Sequence, residues 1–252
     1  MDKSPFEALV EHLLELRKRM MYAMLALIAG FGVFYAFKQP LFQALTAPLK
    51  EAQGGELEMI FTAVPELFVT YLKMCFFASL FVTLPILLWQ LWRFIAPGLY
   101  KNESEILWPF LVATPFMFYL GGAFSFFLVM PVAVPFFFGF AGEGLSALPS
   151  VKEYLGFFLK MTFAFGLAFE LPVLLVLLNV FGIVDIKTLK WFRRYAVVMI
   201  FVASAMLTPP DPASQLMLAV PLLILYEISL VLCRVLSSKK EDSSSLNSSQ
   251  AD

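Results

Sequence analysis

Charge is scarce in this chain. Only 15% of its 252 residues are Asp, Glu, Lys or Arg, against about a quarter in a soluble domain. There is one histidine, His12. A lone imidazole excludes a histidine-clustered metal site and argues against a serine–histidine triad. The two cysteines, Cys75 and Cys233, have no paired spacing, which reads as inert packing. No glycine-rich loop ending in lysine is present, so ATP hydrolysis by that route is excluded. What the chain has instead is apolar side chain: 60% of residues are hydrophobic and 29 are phenylalanine. One soluble core of this length could not hide so much. An ordinary cytosolic enzyme, a disordered protein and a nucleic-acid binder are all excluded, and the bilayer is left as the solvent.

The hydrophobic pattern predicts an all-α integral membrane protein with six transmembrane helices. Residues 1–19 read as an amphipathic helix lying on the cytoplasmic face. Ser4, Pro5 and Glu7 spell its start, and Phe6, Leu9, Val10, Leu13 and Leu14 line one side. Its three glutamates and lack of a small-residue cleavage site do not fit a secretory signal peptide. The membrane domain, 20–233, has spans at about 20–37, 67–92, 108–134, 154–181, 195–208 and 213–233. One surface helix is expected in Pro40–Ala47, within the polar segment Lys38–Glu66. Pro115, Gly121, Gly122 and Pro131 make a straight third span unexpected. The fifth span is short, because only residues 195–208 separate Arg194 from the hard turn at Pro209-Pro210-Asp211-Pro212. The serine-rich end, 234–252, reads as a disordered cytoplasmic tail.

Basic residues set the expected orientation. With both termini inside, 13 of the 18 lysines and arginines fall on the cytoplasmic side and five on the outer side. The few acids then become informative. Glu170 sits near the middle of span four, where a charge costs about 2.5–3.5 kcal/mol and must face protein or a water-filled cavity. Glu227 lies closer to the inner interface and says less. Glu15 and Arg17 close the amphipathic helix, and Glu103 follows Phe94–Asn102 in the connection after span two, on the same membrane face. Two carboxylates at an interface suit guanidinium groups, which they grip through bidentate, charge-assisted hydrogen bonds. From spacing alone, solvated loop glutamates explain them as well.

Several runs together resemble one family. They are His12-Leu13-Leu14-Glu15-Leu16-Arg17-Lys18-Arg19, Phe94–Glu103, Phe169-Glu170-Leu171-Pro172, and Leu207-Thr208-Pro209-Pro210-Asp211-Pro212 with Ser214-Gln215. In order and position they are similar to TatC, the polytopic subunit of the Sec-independent, twin-arginine protein translocase, over about residues 6–234. The resemblance implies a concave, cup-like fold of six helices, N-in and C-in, in the bacterial inner membrane. It implies a receptor for the twin-arginine signal peptides of folded cargo proteins, transporting them on the proton-motive force. The partners it implies are TatA and TatB, or a dual-function TatA, docking at spans five and six, with TatC itself a homo-oligomer within the receptor complex. Carried over by position, Glu15, Arg17, Phe94 and Glu103 form the signal-peptide site and Glu170 is the intramembrane functional residue. Pro48 and Asp211 match functional outer-loop positions. Some relatives have basic residues after the Glu103 position, where this chain has Ser104 and Glu105, so no role for those is carried over.

The residues leave a second reading, a secondary transporter with Glu170 as its proton or ion site. Residues 20–136 and 154–233 show no internal repeat of the kind such transporters often carry. An intramembrane enzyme ranks last, because no span holds a nucleophile–base pair or paired aspartates. No catalytic residue, cofactor or metal is expected.

Overall fold

The computed structural model describes residues 5–95, 101–139, 148–207 and 212–249, apart from the side chains of 5–9, 11–12, 92, 95, 101–107, 213–214 and 236–249. Those residues are helical almost throughout. The elements are α1 (Pro5–Ala36), α2 (Lys38–Leu45), α3 (Ala47–Ala52), α4 (Glu66–Ile95), α5 (Lys101–Phe124), a π-helical segment (Ser125–Val129), α6 (Met130–Phe138), α7 (Val151–Val180), α8 (Ile186–Leu207) and α9 (Pro212–Ser249). No strand occurs among the described residues, and one isolated parallel bridge pairs Ile60 with Ser150.

Five stretches are long and apolar enough to cross a bilayer: Leu13–Ala36, Glu66–Leu91, Trp108–Phe138, Val151–Val180 and Gln215–Val235. The sixth long helix, α8, has four cations in its first nine positions, Lys187, Lys190, Arg193 and Arg194. Its uncharged run, Tyr195–Leu207, spans only about 20 Å at 1.5 Å per residue, short of a hydrocarbon core of about 30 Å. The predicted order of six helices, with a short fifth, is consistent with this arrangement.

Four boundaries differ from the sequence reading. The N-terminal amphipathic helix and the first span are one continuous helix, α1, since nothing in Arg17-Lys18-Arg19 breaks a helix. The segment before α4 holds two short helices, α2 and α3, where one was expected. Thr46 separates them, turning its hydroxyl back to donate to the Phe42 carbonyl at 2.8 Å, and Pro48 starts α3. Helix α5 begins at Lys101, so Glu103 stands in a first helical turn rather than in a loop. Acids there complement the positive end of the helix dipole. Last, α9 continues to Ser249 where a disordered tail from 234 was expected. After Pro221 the helix meets no proline or glycine to stop it.

The third span is not a regular α-helix throughout, and the interruption has a local cause. Pro131 offers no N–H, and its ring crowds the carbonyl four residues earlier. The turn before it widens into the π segment, and α6 resumes beyond.

The chain divides into two compact units, Met1–Pro115 with Leu128–Leu159, and Phe116–Phe127 with Lys160–Asp252. In the first, α1 runs antiparallel along α4. Ser79 Oγ donates to the Leu27 carbonyl at 2.7 Å, and Cys75 Sγ approaches the Phe34 carbonyl at 3.5 Å. Gly30 permits this closeness, since a Cβ there would lie 2.5 Å from Ser79 Oγ. In the second unit, Gly121 lies against the backbone of α7, where a Cβ would come within 2.4 Å of the Phe165 carbonyl oxygen. Helix α7 ends at Gly182, whose φ of +70° suits only glycine. There the Gly182 and Ile183 amides donate to the Asn179 and Leu178 carbonyls, a Schellman cap. Helices α8 and α9 pack together, with Tyr226 Oη donating to the Leu189 carbonyl at 2.8 Å.

Candidate functional site

The residues expected to meet a signal peptide lie on α1, α4 and α5, all in the first unit. Glu15 is on the third turn of α1 and half-buried. Its Oε1 accepts hydrogen bonds from Arg19, from Nε at 3.1 Å and more closely from Nη2. The two are four positions apart, so they sit one above the other on the helix. Arg17, between them in sequence, points elsewhere and is exposed. Phe94 is half-buried in the last turn of α4.

The antiparallel register places these groups at a common level. Leu27 meets Ser79 and Phe34 meets Cys75. Continued toward the start of α1, that register brings Glu15 level with residues 91–94 of α4. At the same end, Trp89 of α4 meets Trp108 of α5 edge to face, with ring centroids 5.9 Å apart. That contact fixes the two helix ends flanking Phe94 and Glu103. The side chain of Glu103 lies outside the described residues, as do residues 96–100.

Glu170 belongs to the second unit. It is ten residues from the end of α7, about 15 Å along the axis, hence near mid-membrane. Its neighbour Phe169 is buried against Phe124, centroids 5.4 Å apart. Glu170 is half-buried, and its Oε1 is shielded from solvent. Glu227 of α9 accepts a hydrogen bond from Arg193 Nη2 at 2.6 Å, an exposed ion pair joining α8 and α9. Pro48 is buried at the start of α3, beside Leu49 and Thr46. Tyr154 Oη donates to the Leu45 carbonyl at 3.0 Å and holds that corner to α7. Asp211 lies outside the described residues.

One acid escaped the sequence reading. Glu66, at the end of the segment Lys38–Glu66, is 5% exposed and has five donors around its carboxylate. Oε2 accepts from the Thr62 amide at 2.6 Å, the Thr62 hydroxyl at 2.8 Å and the Ala63 amide at 3.1 Å. Oε1 accepts from the Ser150 hydroxyl at 2.6 Å and the Lys152 amide at 3.2 Å. The local half of this set has a faint sequence signal, a threonine four residues before an acid at a helix start. The other half arrives from 84 residues away, and no spacing rule could find it.

A sequence model of the TatC family, described as Sec-independent protein translocase protein, matches residues 11–221. The Sec-independent protein translocase protein TatC of Magnetococcus marinus is 45% identical over 96% of this chain and 89% of its own length. The protein of the same name from Escherichia coli K12 is 39% identical over 90% of this chain and 88% of its own. A crystal structure of the twin-arginine translocase receptor TatC superposes with a TM-score of 0.77 at 36% identity. It covers 89% of this chain and 98% of that one.

Proposed function

The chain belongs to the TatC family, and from that membership we propose that it is the receptor of a twin-arginine translocase. It is a polytopic membrane protein of the Sec-independent translocation system. In the proposed reading both termini are cytoplasmic and the membrane is the bacterial inner membrane. Glu15, Arg17, Phe94 and Glu103 form the surface that receives the paired arginines of a signal peptide. TatA- and TatB-type helices dock on α8 and α9, several copies assemble, and the proton-motive force drives the folded cargo across. Glu170 serves the membrane interior of that path, and Pro48 and Asp211 serve its outer face.

The observation that carries the receptor reading is the register of α1 on α4. It supports placing Glu15 level with Phe94, at the end where α5 begins with Glu103. That end also carries Glu7, Glu11 and Glu105, so the proposed site is rich in carboxylates that a guanidinium ligand can meet. Hydrogen bonds to charged groups contribute about 1.5–3 kcal/mol each, so Glu103→Lys should weaken twin-arginine peptide binding by at least about tenfold. Photo-crosslinking from position 103 to a signal peptide in native membranes tests the site. Normal peptide binding by purified Glu103→Lys would show that the site lies elsewhere.

A further inference from the structure

The Glu66 carboxylate links two segments far apart in sequence. Thr62 and Ala63 precede α4, and Ser150 and Lys152 open α7. The same seam carries the bridge in which the Ile60 amide donates to the Pro149 carbonyl at 3.2 Å and the Val151 amide donates to the Ile60 carbonyl at 2.9 Å. A little further on, the Tyr154 hydroxyl holds the α2–α3 corner next to the buried Pro48. Hydrophobic burial cannot account for such a seam, because its members are backbone amides, hydroxyls and one carboxylate. A buried carboxylate with five donors is a fastening whose loss strands several groups at once.

We infer that Glu66 is a positioning residue for translocation: it latches the segment before α4 onto the start of α7, and this latch stays shut while cargo crosses. The inference rests on the translocase reading and on the N-in orientation, which together put the seam on the outer face. It gives that face a fixed strap formed by residues 60–66 and 148–152. Cargo then leaves by another route than a parting of these two segments. Glutamine would not serve in place of Glu66. It keeps the shape, but its NH2 would point at donors, whichever way the amide is turned.

The test uses the full chain in native membranes. Glu66→Gln should speed amide exchange by about tenfold or more in 60–66 and around 151–152, lower export, and leave signal-peptide binding at the opposite face unchanged. Ile60→Cys with Ser150→Cys supplies a covalent substitute, since facing residues of a bridge lie within disulfide reach. The native Cys75 and Cys233 are buried and do not compete. Ser150→Cys also removes one of the five donors, so the reduced pair is the reference: export should fall in the reduced pair and be restored by oxidation, both with Glu66 and with Glu66→Gln. Unchanged exchange in Glu66→Gln would overturn the latch. So would an oxidised pair that stops export, since the seam would then have to open. An oxidised pair that fails to rescue Glu66→Gln would give the carboxylate a different task, such as carrying protons, and would also overturn it. If Glu66→Gln does not fold, the oxidised pair beside the native carboxylate still decides. Absence of signal-peptide binding by the unaltered chain would defeat the receptor reading instead, while the exchange data still judged the latch.

Discussion

Replacing Gly121 by alanine tests how close α5 and α7 are in the second unit. The added methyl would meet the Phe165 carbonyl oxygen at 2.4 Å, the Phe165 carbonyl carbon at 2.8 Å and the Gly166 Cα at 2.9 Å. All three are main-chain atoms, so no side chain can swing aside. One helix must retreat by about 1 Å to recover normal spacing. That movement disturbs Phe124 on Phe165 and Phe169, and Phe118 on Phe163. Overpacking of this kind costs about 1–3 kcal/mol, a factor of about 5–150 in the folding equilibrium. Gly32 is the control, because a Cβ there meets nothing within 4 Å. Gly32→Ala should be neutral or stabilising by up to about 1 kcal/mol, since alanine is the better helix former. Thermal unfolding of the detergent-solubilised proteins, followed by circular dichroism, compares the two. Equal midpoints for Gly121→Ala and Gly32→Ala would refute the close approach and the account of the packing built on it.

Tyr154→Phe removes the hydroxyl that holds the Leu45 carbonyl and should cost about 1 kcal/mol, or up to about 3 if that carbonyl stays dry; thermal unfolding reads it, and no loss would mean water replaces the bond freely. Glu170→Leu removes a mid-membrane carboxylate that costs about 2.5–3.5 kcal/mol on insertion scales. It should therefore insert at least as well as the native chain yet impair export, whereas Glu170→Gln should retain both insertion and folding. Equal, native export by both variants would leave Glu170 a packing residue. Breaking the exposed Arg193–Glu227 pair with Glu227→Gln should change stability by no more than about 1 kcal/mol, and a larger loss would mean the pair is shielded from solvent.

The spans were legible because a long apolar run has one physical explanation, and Arg194, Pro209 and the residues between them already marked the fifth as short. Helix ends were less legible. Lys101–Glu105 is polar and reads in sequence as a loop, yet polar residues with acids near the start make a good first turn. The tail after Arg234 was read from its serines, although no proline or glycine interrupts it. Among the acids, Glu170 stood out because its surroundings are inhospitable to charge, and Glu15 only through the resemblance to a family. Glu66 looked ordinary, beside Pro65 at the end of a loop segment, and its importance lies in Ser150 and Lys152. Such partners come from tertiary structure, and local pattern carries no trace of them. The pairing of Glu227 with Arg193 was hidden for the same reason.

The π segment at Ser125–Val129 carries a prediction about length. A π turn holds one more residue than the α turn it replaces. Deleting a single residue there would keep Met130, Ala133 and Val134 facing inward, with the Pro131 ring then set against the carbonyl four residues earlier. The same deletion in the middle of α7 would rotate everything beyond it by about 100° and turn the buried face outward. Natural or engineered changes of length in this chain should therefore be tolerated at the wide turn and rejected in the straight helices.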